Sequence, residues 1–307
     1  MIKNVLNISG GKDSTAMYLL ALEQEIDFVA VFADTGNEHP ITYEYVSDLP
    51  RKTGGPDIKW VHADFADRIQ KRRIFVANDQ RKRSVRYPNK AKRRILQNLE
   101  PTGNPFLDLC MWKGRFPSTR RRFCSDELKH KPVFQQVQFP LLEHGHLVIS
   151  WQGVRAQESP SRAELPRREI DPNDNRLINF RPILDWSHDD VFAMHKRHGI
   201  EPNPLYKMGF GRVGCMPCIH SRKAEIKNIS DRFPDQIQKI SRWECKTGLV
   251  SKMGLSTFFP YDKTPKSHKP DIWDVIDWSK TAHGGTQYAL PFPVNVNQCT
   301  SMYGLCE

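Results

Sequence analysis

The stretch "NISGGKDSTAMYLL", residues 7–20, runs from an apolar segment through a glycine turn into a helical pattern. Val5 to Ile8 reads as a buried strand. Ser14 to Leu22 carries Ala16, Met17, Leu19, Leu20 and Leu22, a helix with one rich apolar face. Ser9, Gly10 and Gly11 form the turn between them. Glycines let backbone approach an anion, and the helix that follows offers free N–H groups and the positive end of its dipole. Lys12 adds a point charge and Ser14 a hydroxyl. The loop is not the common GxxxxGK[ST] phosphate loop, because it has two glycines and an aspartate, Asp13, after the lysine. The residues by themselves define an anion site in a βα turn.

Outward from this loop, "DFVAVFADTG" (27–36) reads as a second strand. It ends in Asp34-Thr35-Gly36 at a carboxyl edge, where open α/β sheets hold their ligands. A helix over 42–52, a strand at "IKWVHA", a strand over 146–155 and a helix over 188–198 follow. This alternation predicts an α/β fold with a doubly wound parallel sheet. Past Gly199 the texture turns loop-rich, and beyond about 255 little periodicity remains. The expected division is a nucleotide-binding domain over 1–200, with a basic insertion at 68–94, and a cysteine-rich region over 201–307.

The 307 residues can build one large or two small domains. No run approaches ~18 apolar residues, so neither a span nor a membrane partner is expected. The first residues enter a strand without an apolar signal region, which predicts a cytoplasmic protein. In a reducing compartment, the seven cysteines are thiols or metal ligands before they are disulfides. The net charge of +11 is concentrated. Residues 68–94 hold twelve Lys or Arg against one acid, Asp79, and Arg120 to Arg122 add three more cations. Interrupted by Phe75 and Tyr87, this run suits a nucleic-acid backbone with occasional base stacking; a solvated basic face is the alternative.

Cys215 and Cys218 form C-x₂-C, and Cys299 and Cys306 form C-x₆-C near the end. Two such pairs fit a four-thiolate site that ties the tail to the body. Spacing leaves zinc and an iron–sulfur cluster open. Cys124, in "RRRFCSDELKHKP", sits among cations that favour a thiolate and is a possible additional thiol.

SGGKDS resembles the PP-loop of the ATP-pyrophosphatase superfamily. "FADTGNEHP", "RRFCSDELKHKP", "WQGVRAQES" with Arg162, "FRPILDWSHDDV", "NPLYKMGFGRVGCMPC" and "CTSMYGLCE" follow in the order seen in the phosphoadenosine phosphosulfate (PAPS) reductase family. The chain is most similar to the branch found in phages and in DNA-phosphorothioation systems, the Dnd- and Ssp-type ATPases. The resemblance implies cleavage of ATP, with Mg2+, between the α and β phosphates, adenylation of a substrate oxygen, and sulfur delivery. It implies a nucleotide site of Ser9, Gly10, Gly11, Lys12, Asp13, Ser14, Asp34, Thr35, Gly153, Arg155, Glu158 and Arg162. Lys12, Asp13, Ser14, Lys129 and Arg155 would carry the catalysis, with Asp13 also assisting at the magnesium. It favours a [4Fe–4S] cluster over zinc on Cys215, Cys218, Cys299 and Cys306, with Cys124 the rival ligand. The implied partners are nucleic acid, DNA first, a cysteine desulfurase or other persulfide donor, and other modification-system subunits. The alternatives are a reductase releasing sulfite from a sulfonucleotide, tRNA thiolation, and a catalytically silent nucleic-acid-binding protein. The reductases differ in two respects: an ECGxH-like tail is absent here, and Phe123 stands where the iron–sulfur form has the first of two tandem cysteines.

Overall fold

The computed structural model describes residues 1–259 and 271–281. β1 (Ile2–Ile8), β2 (Phe28–Asp34), β3 (Ile58–His62), β4 (Leu147–Trp151), β5 (Arg168–Asp171) and β6 (Asp174–Phe180) form one sheet in the order β3-β2-β1-β4-β6-β5. All neighbours are parallel except β5, which pairs antiparallel with β6. This is the doubly wound α/β sheet that the alternation of elements predicts. The chain leaves β1 toward β2 and β3, then returns to β4 on the other side of β1. The carboxyl ends of β1 and β4 therefore flank the topological switch point, the place where such sheets bind ligands.

The sheet is covered on both faces, so the second half of β1, Val5–Ile8, is buried throughout rather than in alternation. Leu6 and Ile8 pack on one side with Met17 and Leu19 of α1 (Lys12–Glu23), Val46 of α2 (Pro40–Thr53) and Phe32. Val5 lies on the other side with Val31, Val61, Val133, Val137 and Val148. Val133 and Val137 belong to a helical run from Phe123–Ser125 to Phe139–Glu143, two stretches of which, Asp126–His130 and Phe134–Gln138, are wide π-type turns. α2 starts at His39, whose Nδ1 accepts the Ile41 N–H, and it stops at Gly54 with φ +68°. Ser187 and Asp190 cap the later helix α6 (His188–Arg197) reciprocally.

Compact grouping divides the chain into two units; among the described residues, one holds 1–63 with 125–215 and the other 64–124 with 216–259 and 271–281. This differs from the linear division at residue 200. The first unit carries the sheet. In the second, α3 (Ala66–Ala77), α4 (Asn89–Asn98) and α5 (Pro105–Lys113) join α7 (Lys223–Arg232), α8 (Pro234–Val250) and α9 (Ile272–Lys280). Phe106 of α5 stacks on Trp243 of α8 and on Phe258, at 5.4 and 5.9 Å between ring centres. Ile69, Val76 and Ala91 within the basic segment, and Ile95 just after it, are core residues of the second unit. A reading along the chain cannot see this, because the segments that meet are more than a hundred residues apart.

Two further differences have local causes. The strand expected over 146–155 ends at Trp151, and the rest is the loop that carries Arg155. The β5–β6 hairpin gave little apolar alternation, because β5 lies at the sheet edge with charged residues and an exposed Ile170. Among the described residues, no helix is long and apolar enough to cross a membrane.

Candidate functional site

The site lies within the first unit, at the carboxyl ends of β1, β2 and β4. β1 ends at Ile8, and the chain turns through Gly10 at φ +80° into α1, whose cap is Gly11 in an extended conformation. A side chain at Gly10 would be strained, and its Cβ would lie 2.8 Å from Thr42 Cγ2 and 2.9 Å from Val46 Cγ2. Gly153, after β4, packs against the loop from the other side, where a Cβ would sit 3.2 Å from Ser14 N and Cα. Both glycines keep side chains out of the cradle around the first turn of α1.

The hydroxyls of the loop brace it. Ser9 and Ser14 share a 2.9 Å hydrogen bond between their Oγ atoms. Ser9 N–H donates to Ser14 Oγ, and Ser14 Oγ–H reaches Gly11 O at 3.1 Å. Three residues outside the motif hold the loop from behind. Asn203 Nδ2 donates to Gly10 O at 3.2 Å, Tyr206 Oη accepts from Lys12 N at 3.0 Å, and His195 Nε2 lies 2.9 Å from Lys12 O. Sequence reasoning did not assign these three. His195 sits on the buried side of α6, and Asn203 and Tyr206 fall in the "NPLY" stretch, so the signal was a set of polar residues on otherwise apolar or loop positions.

The charges of the site converge on Asp13, which is fully buried. Its Oδ2 receives Lys12 Nζ at 2.9 Å, and its Oδ1 receives Arg155 Nε at 2.6 Å. Lys12 and Arg155 are themselves 6% and 4% exposed. One carboxylate thus positions two cations, leaving the triad with a charge of +1 beside the helix amino terminus. Both Asp13 oxygens are committed to these partners, and a magnesium ligand role would require at least one of them to let go. Lys12 Nζ also stands 5.4 Å from the centre of the Tyr206 ring.

Arg155 is held in turn. Its backbone N–H donates to Glu158 Oε2 at 3.0 Å, and Glu158 is ion-paired with Arg162. Arg162 is 1% exposed, so this is an interior pair and not a surface one. Glu158 and Arg162 support the loop that presents Arg155. Lys129 is buried in the wide turn Asp126–His130.

At the end of β2, Asp34 Oδ1 accepts from Gly36 N at 2.8 Å and from Tyr43 Oη at 2.7 Å. Thr35 is fully buried and donates its hydroxyl to Glu38, at 2.7 Å to Oε1. The Tyr43 phenol also reaches Glu38 Oε2, at 3.1 Å. Burial, followed by the Glu38 and Asp34 carboxylates, pushes that phenol far above its ordinary titration range, so it keeps the proton it donates to them. Cys215 is bridged to this turn through the backbone of Glu38, with its Sγ 3.5 Å from Thr35 Oγ1 and 3.7 Å from Glu38 Oε1. The first cysteine of the C-x₂-C pair is thereby brought to the carboxyl edge of the sheet.

The other cysteines are spread. The boundary between the two units falls between Cys215 and Cys218. Cys218 is buried, and its backbone N–H donates to Ser221 Oγ at 3.1 Å. Cys124 is half-buried and neighbours Cys110, whose thiol is pushed well above its usual value by burial and then by Cys124. Among the described residues, no three of His, Cys, Asp and Glu gather around a common metal position. The described thiols alone therefore do not fit a four-ligand cluster or zinc site, and Cys299 and Cys306 lie outside the described residues.

A family model, the phosphoadenosine phosphosulfate reductase domain, matches residues 3–221. The chain belongs to that family. It is 47% identical over 324 aligned positions to the uncharacterized 37.8 kDa protein of the gpa 5′ region in Escherichia phage 186, covering 99% of this chain and 96% of the phage protein. It is 26% identical to the phosphoadenosine 5′-phosphosulfate reductase of Vibrio vulnificus over 211 residues, covering 69% of this chain and 64% of that enzyme. A shorter match, 44% identical over 69 residues, links it to the adenosine 5′-phosphosulfate reductase of Allochromatium vinosum, covering 22% of this chain and 27% of that enzyme. The PAPS reductase domain accordingly includes the whole triad of Lys12, Asp13 and Arg155, and the C-x₂-C pair at its end.

Proposed function

We propose that this PAPS reductase family member is an ATP pyrophosphatase that activates an oxygen for replacement by sulfur. An acceptor oxygen attacks the α phosphorus of ATP, the α–β bond breaks, and pyrophosphate leaves. The outer sulfur of a carrier persulfide then displaces AMP from the activated acceptor, and a second thiol reduces the resulting S–S bond, leaving sulfur on the acceptor and the carrier as a disulfide. A nucleic acid is the proposed acceptor, with DNA phosphorothioate modification the favoured setting.

One observation carries this reading: two buried cations are fixed by one carboxylate at a glycine-lined helix amino terminus. Free N–H groups and the helix dipole there favour a polyphosphate. Lys12 and Arg155 stand where they can offset charge developing on a departing pyrophosphate, and electrostatic positioning of this kind costs no reorganisation during reaction. Ser9 and Ser14 keep the loop in that shape, and the Glu158–Arg162 pair keeps Arg155 in register. Magnesium, carried with ATP, would supply further charge neutralisation at the phosphates.

A second reading has its own support. Two of the relatives above are named sulfonucleotide reductases, and the same cradle suits the phosphate of a sulfonucleotide. Phe123, in place of the first of two tandem cysteines, favours the ATP reading. The two separate by product: pyrophosphate and AMP from ATP in the presence of DNA and a sulfur donor, or sulfite from adenosine 5′-phosphosulfate or its 3′-phosphorylated form with a thiol reductant. Sulfite release without pyrophosphate release would replace the first reading with the second.

A further inference from the structure

The second unit separates the cations of the basic segment into two groups. Four hold the unit together by donating to main-chain carbonyls: Arg72 to Met111 and Val250, Arg73 to Leu99, Lys92 to Ala77 and Asp79, and Arg94 to Leu249 and Ser251. Six others, Lys71, Lys82, Arg83, Arg86, Lys90 and Arg93, are exposed, as is Arg81, while Arg68 is half-buried. Asp79, the one acid of the segment, is 4% exposed and does not offset them at the surface. Its carboxylate folds the loop between α3 and α4. It accepts from Arg81 Nε at 2.8 Å, from Arg81 Nη2 at 3.0 Å and from Tyr87 N at 2.9 Å. Lys252 Nζ pins the same loop through Val85 O at 2.8 Å. The cationic loop is thus tied to Asp79 and Lys252 of its own unit.

Asp79 also sets the plane of Arg81. The guanidinium carbon lies 4.9 Å from the centre of the Phe75 ring and 5.9 Å from that of Tyr87. Phe75 is 48% exposed, and Ile74 and Val85 nearby are 54% and 49% exposed. A face serving only solubility has no need of exposed apolar groups among its charges. Flat aromatic and guanidinium surfaces bordered by cations suit unpaired bases, whose faces stack while their phosphates meet the surrounding charge. A duplex keeps its base faces covered and could use the charges alone.

We propose that Phe75, Arg81 and Tyr87 form a stacking platform for single-stranded nucleic acid, flanked by Lys82, Arg83, Arg86 and Lys90. The platform rests on the proposed function and deepens it by naming the form of its acceptor, and it uses residues other than those of the nucleotide loop. The test is fluorescence anisotropy with labelled oligodeoxythymidine and oligouridine of about 15 nucleotides and a duplex of equal length, within the site sizes of such surfaces. The single strands should bind more tightly than the duplex, and affinity should fall as salt rises from about 50 to 200 mM. Phe75→Ala should weaken single-strand binding roughly ten- to a hundredfold, the cost of one lost stacking partner, and leave the salt slope unchanged. Lys82→Glu with Arg86→Glu should flatten that slope. Equal binding of oligodeoxythymidine and oligouridine supports the platform for both; preference for one names the acceptor. Circular dichroism melts establish that each variant is folded, and the exposed charge reversals serve if Phe75→Ala is not. No binding at low salt, equal or tighter binding of duplex, or a folded Phe75→Ala with wild-type affinity overturns the proposal. Pyrophosphate release from ATP, measured separately, reports on the nucleotide site whichever way the binding result falls.

Discussion

Asp13→Asn removes a charge that holds Lys12 and Arg155 together. Both cations are almost fully buried, and each lies within 3 Å of an Asp13 oxygen. The amide can still accept from Arg155 through its oxygen, but its NH2 group turns a donor toward Lys12. Two interior cations lose the carboxylate charge that Asp13 supplies. Breaking a buried ion pair from one side costs about 3–5 kcal/mol. In a unit of this size each kcal/mol is worth roughly 2–4 °C, so the variant should melt on the order of 6–20 °C lower. A bound polyphosphate supplies negative charge to the same two side chains. ATP with Mg2+ should therefore raise the melting temperature of Asp13→Asn by more than that of the wild type, because a ligand stabilises by its preference for the folded state. Thermal melts followed by circular dichroism, with and without ATP and Mg2+, measure both effects. A variant melting within a degree of wild type, or gaining no more than wild type from ATP, would refute the view that Asp13 stands in for phosphate charge.

Other expected outcomes follow from the same geometry. Lys12→Ala should weaken ATP binding by roughly 1.5–3 kcal/mol, the range for a hydrogen bond to a charged group, as read by calorimetric titration. Gly10→Ala meets Thr42 and Val46 and requires an unfavourable φ, so it should destabilise by about 1–3 kcal/mol and lower nucleotide affinity, checked by denaturation and titration. Tyr206→Phe removes the acceptor of the Lys12 N–H, and it should cost about 1 kcal/mol of stability while altering ATP affinity more than a surface Tyr→Phe change would. Glu244 in α8 has its carboxyl raised from 4.5 to about 7 by burial, against the pull of the Phe258 and Ile272 N–H groups, with Asp271 and Asp274 adding to the rise. Between about pH 4.5 and 7 the folded state keeps a proton that the unfolded state has lost. Stability from this group is full at low pH and is lost as pH rises through 7, by up to roughly 3 kcal/mol. Urea unfolding at several pH values should show this decline in the wild type and a flatter profile in Glu244→Gln.

The nucleotide half of the molecule was legible because its signals are local. A strand, two glycines, a lysine and an amphipathic helix lie within twenty residues, and the DTG turn directly follows its strand. The roles of individual residues were less legible. Asp13 reads as a magnesium ligand in a string of letters, but the fold delivers Arg155 from across the switch point and makes it the tether of two cations. Glu158 and Arg162, four apart, could as well have been a surface pair; only burial distinguishes the cases. His195, Asn203 and Tyr206 act on the loop from almost 200 residues away, a separation that no local pattern bridges. The basic segment shows the same limit. Composition marked it as a surface for nucleic acid, yet Arg72, Arg73, Lys92 and Arg94 are internal braces. The helices α7 and α8 carried a signal in Ile226, Ile229, Ile237, Ile240 and Trp243, which the prolines and glycines before them obscured.

The most direct test of the central claim is to identify the products formed from ATP by the purified protein with Mg2+, single-stranded DNA and a persulfide donor. Chromatography of labelled ATP should show AMP and pyrophosphate in equal amounts. Both should disappear in Lys12→Ala and in Arg155→Ala. ADP and phosphate as products, or ATP left intact by a protein that instead releases sulfite from a sulfonucleotide, would contradict the account.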